Sequence, residues 1–182
     1  NLSLDRKAAY LKLNLPPSAV VATPFNNTYH QLDIYADQFD CYLDSSYFDI
    51  RSMRDPDGRA SFESLNYFSK KRFEQLRGNI TYNPLFKMND LYVLYQKRIY
   101  SEDEVASFFG VDKIEQLQPI LVLMASQGYL IYDYKMKEIV LQDKLFIYIN
   151  AYLKKIDFDV IQLNSISKDK PNSRFYFETK YL

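Results

Sequence analysis

The spacing of apolar residues changes along the chain, and this change limits the fold more than any other feature. From Leu11 to about residue 50, apolar and polar residues alternate with a period of two, which is typical of half-buried β-strands. From Ser69 to about residue 153, apolar residues recur mostly every three or four positions, as in amphipathic helices. Residues 157–164 and 174–181 again predict strands. Because strands and helices come in blocks rather than in βαβ order, the sequence predicts an α+β fold, with antiparallel strands at both ends of a helical centre.

Within the N-terminal strands, the alternation changes parity. The apolar positions of 32–36 are even-numbered, whereas those of 39–43 are odd-numbered. A shift of one residue turns every following side chain to the other face of a sheet. We therefore predict a bulge or a break near Asp37-Gln38.

Capping residues, prolines and glycines set the predicted ends of the helices. Ser101 and Glu104 form a capping box, in which each side chain accepts a hydrogen bond from the other residue's backbone. Residues 129–134 and 138–141 predict the two strands of a hairpin, which are joined by a polar turn. The predicted helices are 70–77, capped by Ser69 and ended by Gly78; one from Pro84 to about residue 95; one from Ser101 to Gly110; one from Asp112 to Gly128; and one over about 144–153.

The pattern divides the chain into four segments. Residues 1–60 are rich in strands, 61–99 form a helical connector, 100–145 form a helical module with a hairpin, and 146–182 hold a helix and the C-terminal strands. We expect these segments to pack as one compact unit. Since the chain begins at Asn1 and stops within a strand-like run, we also expect it to be an excerpt of a longer protein.

Composition excludes several classes of protein. The chain has 47% hydrophobic residues and a single cysteine, which excludes a disordered chain and a disulfide scaffold. It contains no run of apolar residues long enough to span a membrane. The 23 basic and 23 acidic residues balance, which argues against a surface built throughout for nucleic acid or anionic lipid. The composition does not indicate a cellular compartment.

Residues that could perform catalysis are scarce. His30 is the only histidine and Cys41 the only cysteine, and neither has a neighbour in sequence that would complete a catalytic or zinc-binding motif. No glycine-rich phosphate-binding loop occurs. The sequence therefore predicts a protein that is not an enzyme and holds no cofactor or metal.

A run of aspartates in the strand-rich segment offers carboxylates for a calcium site. The run lacks the spacing of an EF-hand loop, although a weak calcium site stays as an alternative. The aspartates alternate with apolar residues, so we interpret them as the solvated face of an antiparallel sheet. The run is Asp33, Asp37, Asp40, Asp44, Asp49, Asp55 and Asp57.

Basic residues form small clusters, at 70–72 with Arg77, at 154–155, and at Lys168, Lys170 and Arg174. The first cluster has aromatic neighbours, so it could contact nucleic acid. Solvated turns and helix ends explain the same charges without a ligand, and basic residues near the C-terminus of a helix also suit the helix dipole. We favour this second explanation.

The order helix, glycine, helix, glycine, hairpin in residues 101–141 resembles a winged helix. The residues that carry the resemblance are 104–111, Glu-Val-Ala-Ser-Phe-Phe-Gly-Val, and 127–131, Gln-Gly-Tyr-Leu-Ile. The resemblance implies a module that binds DNA or protein. A DNA-reading member needs a basic second helix, whereas here the second half of that helix is apolar on all sides, which predicts burial. Residues 100–145 also hold eight acidic and four basic residues, a net charge of −4.

The chain as a whole resembles stretches of long, uncharacterised bacterial cell-envelope proteins. The stretches that carry this resemblance are 32–37, Leu-Asp-Ile-Tyr-Ala-Asp, 82–86, Tyr-Asn-Pro-Leu-Phe, and 143–146, Asp-Lys-Leu-Phe. It implies one piece of a large scaffold in the envelope, with an export signal upstream.

Tyrosine is unusually common, with 17 residues in 182. Tyrosine is enriched where protein surfaces meet, because it joins an apolar ring to a polar tip. The candidate interaction surface comprises Tyr129, Tyr132, Tyr134, Tyr176 and Tyr181. Aromatic pairing across the strands of one sheet is the competing explanation.

Together these features predict a non-enzymatic module that serves structure or protein interaction within a larger protein or assembly. The alternative is a winged-helix domain that binds nucleic acid. The two differ in electrostatics, because only the nucleic-acid binder needs a contiguous basic face.

Overall fold

The computed structural model describes residues 2–14, 23–77, 82–176 and 178, and the protein is α+β. The chain forms two compact units: unit 1 is Asn1–Glu63 with Gln162–Leu182, and unit 2 is Ser64–Ile161. This division does not follow the four sequence segments. The N-terminal strands and the C-terminal strands, which we assigned to different segments, share unit 1.

Unit 1 consists of two antiparallel sheets. Sheet A has the strand order β1-β2-β5-β6-β12, and sheet B has the order β11-β7-β4-β3. The bounds are β1 (Leu2–Asp5), β2 (Tyr10–Asn14), β3 (Phe25–Asn27), β4 (Leu32–Tyr35), β5 (Gln38–Tyr42), β6 (Tyr47–Arg51), β7 (Arg59–Ser64), β11 (Gln162–Ile166) and β12 (Ser173–Tyr176).

The bulge or break that we predicted near Asp37-Gln38 is confirmed, and it is a break. Strand β4 belongs to sheet B and strand β5 belongs to sheet A, so the chain changes sheets at residues 36–37. Both runs of apolar side chains therefore point into one core between the sheets. That core contains Ile34, Ala36, Ile50, Ala60 and Phe62, with Phe25, Leu32, Phe39 and Phe48 packed against it.

Other strands differ from the prediction. Strand β7 begins at Arg59 and extends into the segment 61–99 that we assigned to a helical connector, and it pairs with β11. The C-terminal strands are β11 and β12, so the first begins later than predicted, whereas residues 177 and 179–181 of the second lie outside the described residues. The predicted extended stretch 79–82 and Gly78 also fall on or beside residues outside this description.

Unit 2 packs helices against a small antiparallel sheet, sheet C, of order β8-β10-β9. Its buried side chains include Tyr100, Leu121, Met124, Tyr129 and Tyr148. The bounds are α1 (Lys70–Arg77), α2 (Pro84–Tyr95), β8 (Ile99–Ser101), α3 (Glu102–Phe109), α4 (Gln118–Ser126), β9 (Leu130–Asp133), β10 (Glu138–Leu141) and α5 (Asp143–Tyr152).

Two predicted features of α4 were wrong. The helix begins at Gln118, with proline in its first turn, and a short 3₁₀ turn at Ile114–Gln116 takes the place of the predicted first half. Pro119 explains the shift, because proline lacks the N–H that a residue deeper in a helix must donate. The helix is also not buried on all sides, since Leu123 is 40% exposed.

The predicted capping box is confirmed at the start of α3. The Ser101 backbone N–H donates to Glu104 Oε2 over 2.8 Å, and the Glu104 N–H donates to Ser101 Oγ over 3.3 Å. The helix ends, as predicted, at Gly110, whose φ of 73° lies in the left-handed region. A hydrogen bond from Lys97 Nζ is the main cause that lowers the pKa of Glu104.

Replacing Ser101 with alanine is expected to lower the free energy of unfolding by about 1 kcal/mol, because it removes the N-cap acceptor. Urea unfolding followed by circular dichroism measures the change. Ser107→Ala is the matched control, because Ser107 is exposed in the interior of the same helix and alanine is the better helix former. Equal losses in the two variants would contradict the role of the cap.

The helices in the described ranges all lack the combination of length and apolar character that crossing a membrane requires. Within the same ranges, His, Cys, Asp and Glu form no group of three or more that could hold a metal ion.

Candidate functional site

The outer face of sheet A is the side turned away from the core of unit 1. Side chains alternate between the two faces of each strand. In β5 and β6, Phe39, Phe48 and Ile50 contribute to the core, so the residues between them point outward. The outer positions of β2, β5, β6 and β12 hold a tyrosine and a charged residue two positions apart: Tyr10 and Lys12, Tyr42 and Asp40, Tyr47 and Asp49, and Tyr176 and Arg174.

The strand register places these tyrosines in one row. Tyr10 faces Tyr42 across β2 and β5, and Tyr47 faces Tyr176 across β6 and β12. Between the two pairs, Cys41 faces Phe48, so Tyr42 and Tyr47 are the next opposed positions of the β5–β6 hairpin. We call Tyr10, Tyr42, Tyr47 and Tyr176 the tyrosine row; with strands about 4.8 Å apart it extends over about 15 Å.

The rings of the tyrosine row are close and partly exposed. The ring centroids of Tyr10 and Tyr42 are 5.1 Å apart, and those of Tyr47 and Tyr176 are 5.9 Å apart. Tyr42 is 40% exposed and Tyr176 is 41% exposed. The row therefore exposes aromatic surface while its members support one another as cross-strand pairs.

A row of charges lies beside the tyrosine row. Asp40 faces Asp49 across β5 and β6, and Arg174 faces Asp49 across β12. Two like charges in opposed positions repel each other, so each needs its own cation. Arg174 supplies two hydrogen bonds to Asp49, from Nε over 2.7 Å and from Nη2 over 3.1 Å. Arg51 Nε donates to Asp40 Oδ2 over 2.9 Å.

Asp40 connects the charges to the tyrosine row. Its carboxylate accepts hydrogen bonds from the Tyr10 hydroxyl and, over 2.8 Å, from Gln38 Nε2. Burial raises the pKa of Tyr10, and the hydrogen bond to Asp40 raises it further. On the other side, the Arg174 guanidinium lies 3.8 Å from the centroid of the Tyr47 ring. The two aspartates and two arginines thus hold the tyrosines in place without adding net charge.

Asp44, Asp55 and Asp57 are exposed, as predicted, but the interpretation as a solvated face was wrong for the other four aspartates. Asp40 and Asp49 are 3% and 2% exposed, and Asp33 and Asp37 are also buried. Asp37 lies at the break between sheets, where it accepts the backbone N–H groups of Met53 over 2.9 Å and Arg54 over 2.7 Å. Alternation with apolar residues identified the outer face correctly, but it could not show that arginine and tyrosine side chains cover it.

The predicted interaction tyrosines are separated in the structure. Tyr129 is fully buried in unit 2, with its ring 5.0 Å from that of Tyr148. Tyr132 is also buried and donates its hydroxyl proton to Glu102 Oε1 over 2.6 Å, so these two side chains cannot form an exposed surface. Tyr134 is half-buried against Tyr132, with ring centroids 4.0 Å apart.

Tyr176 is the predicted tyrosine that the structure places in an exposed aromatic group, and Tyr181 lies outside the described residues. The other members of the tyrosine row were missed. The repeated spacing of one tyrosine and one charge two residues apart would have found them, because this spacing puts both side chains on the polar face of a strand. The order of these tyrosines across the sheet could not be predicted from the sequence, because it depends on the register of the strands.

The outer face of sheet A combines partly exposed tyrosine rings with charges that are paired with one another. The Tyr10 hydroxyl already donates to Asp40, and the carboxylates of Asp40 and Asp49 are occupied by internal hydrogen bonds. His30 lies in the β3–β4 turn, where its ring is 3.2 Å from Asn27 Nδ2 and packs against Phe175. Cys41 projects from the opposite face of β5, toward the core.

A comparison with protein-family models, curated proteins and solved structures found no significant match to this chain.

Proposed function

We propose that this chain is a non-enzymatic interaction module of a larger protein or assembly, and that the tyrosine row of unit 1 binds a protein partner. The observation that carries the proposal is the row itself, four tyrosines in register with arginines beside them. Tyrosine and arginine are the residues that contribute most often to the central contacts of protein interfaces. Because internal ion pairs already hold the side chains, binding would order few additional groups.

The same proposal includes a protein contact made by the winged-helix-like segment, residues 101–141. In unit 2, α3, α4 and the β9–β10 hairpin follow one another in the order that such modules have, and β8 pairs with β10. The exposed residues of α4 include Pro119 and Leu123, which suit a protein contact rather than phosphate groups. Together with the local net charge of −4, this favours protein over DNA as the partner of that segment.

Replacing Tyr42 and Tyr176 together with alanine is expected to weaken partner binding by at least about thirtyfold, because central tyrosines each contribute about 1–2 kcal/mol or more. The partner is found first by introducing the photocrosslinker p-benzoylphenylalanine in place of Tyr42 in the full-length protein. Mass spectrometry identifies what is linked, and calorimetry then measures its affinity for both forms.

Tyr29 and Tyr95 provide the control, because both are exposed and neither belongs to the tyrosine row. Tyr29→Ala/Tyr95→Ala should keep the affinity of the original protein. An interaction lost equally in both double variants would contradict the proposal, as would crosslinks to nucleic acid that high salt abolishes. Light scattering across concentrations tests whether the partner is a second copy of the chain.

A further inference from the structure

A second candidate surface lies in unit 2, in a groove of about 660 Å³ between the start of α1 and the end of α5. This volume lies within the range of small binding sites. We call it the α1–α5 groove; its lining residues are Tyr67, Phe68, Ser69, Lys70, Ala151, Tyr152, Lys154, Phe158 and Val160.

The floor of the α1–α5 groove is aromatic and held in place. The Phe68 ring lies 4.8 Å from that of Tyr148 and 5.1 Å from that of Phe158. The Tyr148 hydroxyl donates to the Ser69 carbonyl over 3.1 Å and accepts the Ser69 N–H over 3.0 Å, which joins α5 to the start of α1. On this rigid base, Phe158 is 45% exposed and Val160 is 71% exposed.

The charges on the rim have one sign. Lys70 and Lys154 line the groove, and the lining includes no carboxylate. Lys70 Nζ lies 3.7 Å from Glu74 outside the lining, but both side chains are largely exposed, so the pair is weak and open to competition. The groove thus brings one lysine from each of two basic clusters, 70–72 and 154–155, to the same surface, although the clusters are far apart in the sequence.

The first turn of α1 adds to this positive charge. Whereas Arg77 lies in the last turn of α1, Lys70, Lys71 and Arg72 occupy its N-terminal turn, which holds no acidic residue. The helix dipole is positive there and disfavours cations. An anion bound at this end of the groove would therefore offset a repulsion that is already present in the fold.

From this complementarity we infer that the α1–α5 groove binds a short acidic peptide segment that carries one aromatic or large aliphatic side chain. The apolar side chain would lie on Phe68, Tyr152 and Phe158, and carboxylates on either side would meet Lys70 and Lys154. An open groove with an apolar floor and two flanking cations matches such a segment in shape and charge. The inference does not depend on the tyrosine row, which lies in unit 1.

Binding is measured by fluorescence anisotropy with three labelled peptides. The first is Glu-Glu-Phe-Glu-Glu, the second has lysine in place of each glutamate, and the third has alanine in place of the phenylalanine. A labelled oligothymidylate tests nucleic acid. The first peptide should bind at least about tenfold more tightly than each of the others.

Two substitutions remove the rim cations without weakening the fold. Lys70→Gln removes a cation that the α1 dipole disfavours and loses only the weak, exposed pair with Glu74. Lys154 has a φ of 56°, so Lys154→Gly relieves its backbone strain. The variant with both substitutions should remain folded and bind the first peptide at least about tenfold more weakly. Lys137→Gly is the matched control, because Lys137 has a φ of 55° and lies outside the groove.

The possible results separate clearly. Selective binding of the first peptide that is lost in the double variant and kept in Lys137→Gly supports the inference. Absence of binding, equal binding of all peptides, or preference for the oligothymidylate would overturn it. None of these results bears on the tyrosine row, whose test uses Tyr42 and Tyr176.

Discussion

Replacing Gly58 with alanine is expected to destabilise unit 1 by about 3 kcal/mol or more. Gly58 is buried before β7 and has a φ of 65°, which an alanine adopts only with strain. An added Cβ would overlap the carbonyl oxygen of Ser167 and would lie 2.8 Å from its carbonyl carbon. Because both are backbone atoms, no side-chain rotation relieves the overlap.

The strain would reach both sheets of unit 1 through hydrogen bonds. The Gly58 carbonyl accepts from Ser167 N–H over 3.0 Å and from Asn172 Nδ2 over 2.7 Å. The Asn172 N–H donates to the Ile50 carbonyl in β6, over 2.9 Å. A shift at Gly58 thus disturbs the connection between β7 in sheet B and β6 in sheet A, which carries the tyrosine row.

Gly110→Ala provides the control for this prediction. Gly110 has a φ of 73°, but nothing lies within 4 Å of an added Cβ. Gly110→Ala should lower the free energy of unfolding by about 1 kcal/mol, which is the cost of the left-handed conformation alone. Hydrogen exchange measured by mass spectrometry on peptides that cover 59–64 and 162–166 reports on unit 1 directly. Similar protection of these peptides in the original protein and in Gly58→Ala would show that the close contact carries no energetic weight.

The predictable part of the fold follows from periodicity and local capping. The parity change predicted a bulge or a break near Asp37, because an apolar residue on the wrong face is energetically costly, and the chain changes sheets there. The α3 helix followed from Ser101, Glu104 and Gly110, whose effects act within one turn. Such local signals need no knowledge of the rest of the chain.

The features that were missed depend on contacts distant in sequence. Strand β7 becomes a strand by pairing with β11, about 100 residues away, and its sequence alone did not show this. The burial of Asp49 depends on Arg174, which is 125 residues away. The tyrosine row depends on the register of four strands. The sequence does not contain this register, and it shows only that the tyrosines occupy polar positions of their strands.

Arg174→Met is expected to lower the free energy of unfolding of unit 1 by about 2–3 kcal/mol, because it strands the buried Asp49 carboxylate. Methionine keeps most of the length of the side chain but supplies no hydrogen bond. Arg51 Nη2 remains 3.7 Å from Asp49 Oδ2, and the Arg174 side chain is itself 38% exposed, so the loss should fall below that of a fully buried pair.

Adding Asp49→Asn to Arg174→Met should recover about 1 kcal/mol or more, because it removes the stranded charge. Arg59→Met is the control: Arg59 and Asp57 are exposed and 4.0 Å apart, so its effect should stay within about 0.5 kcal/mol. Urea unfolding of the original protein, Arg174→Met, Asp49→Asn and the double variant gives the coupling energy. A coupling near zero would mean that the ion pair does not hold β12 against β6. A large coupling would mean that the charge row fixes Tyr47 and Tyr176, in which case Arg174→Met should also weaken the partner found by crosslinking at Tyr42.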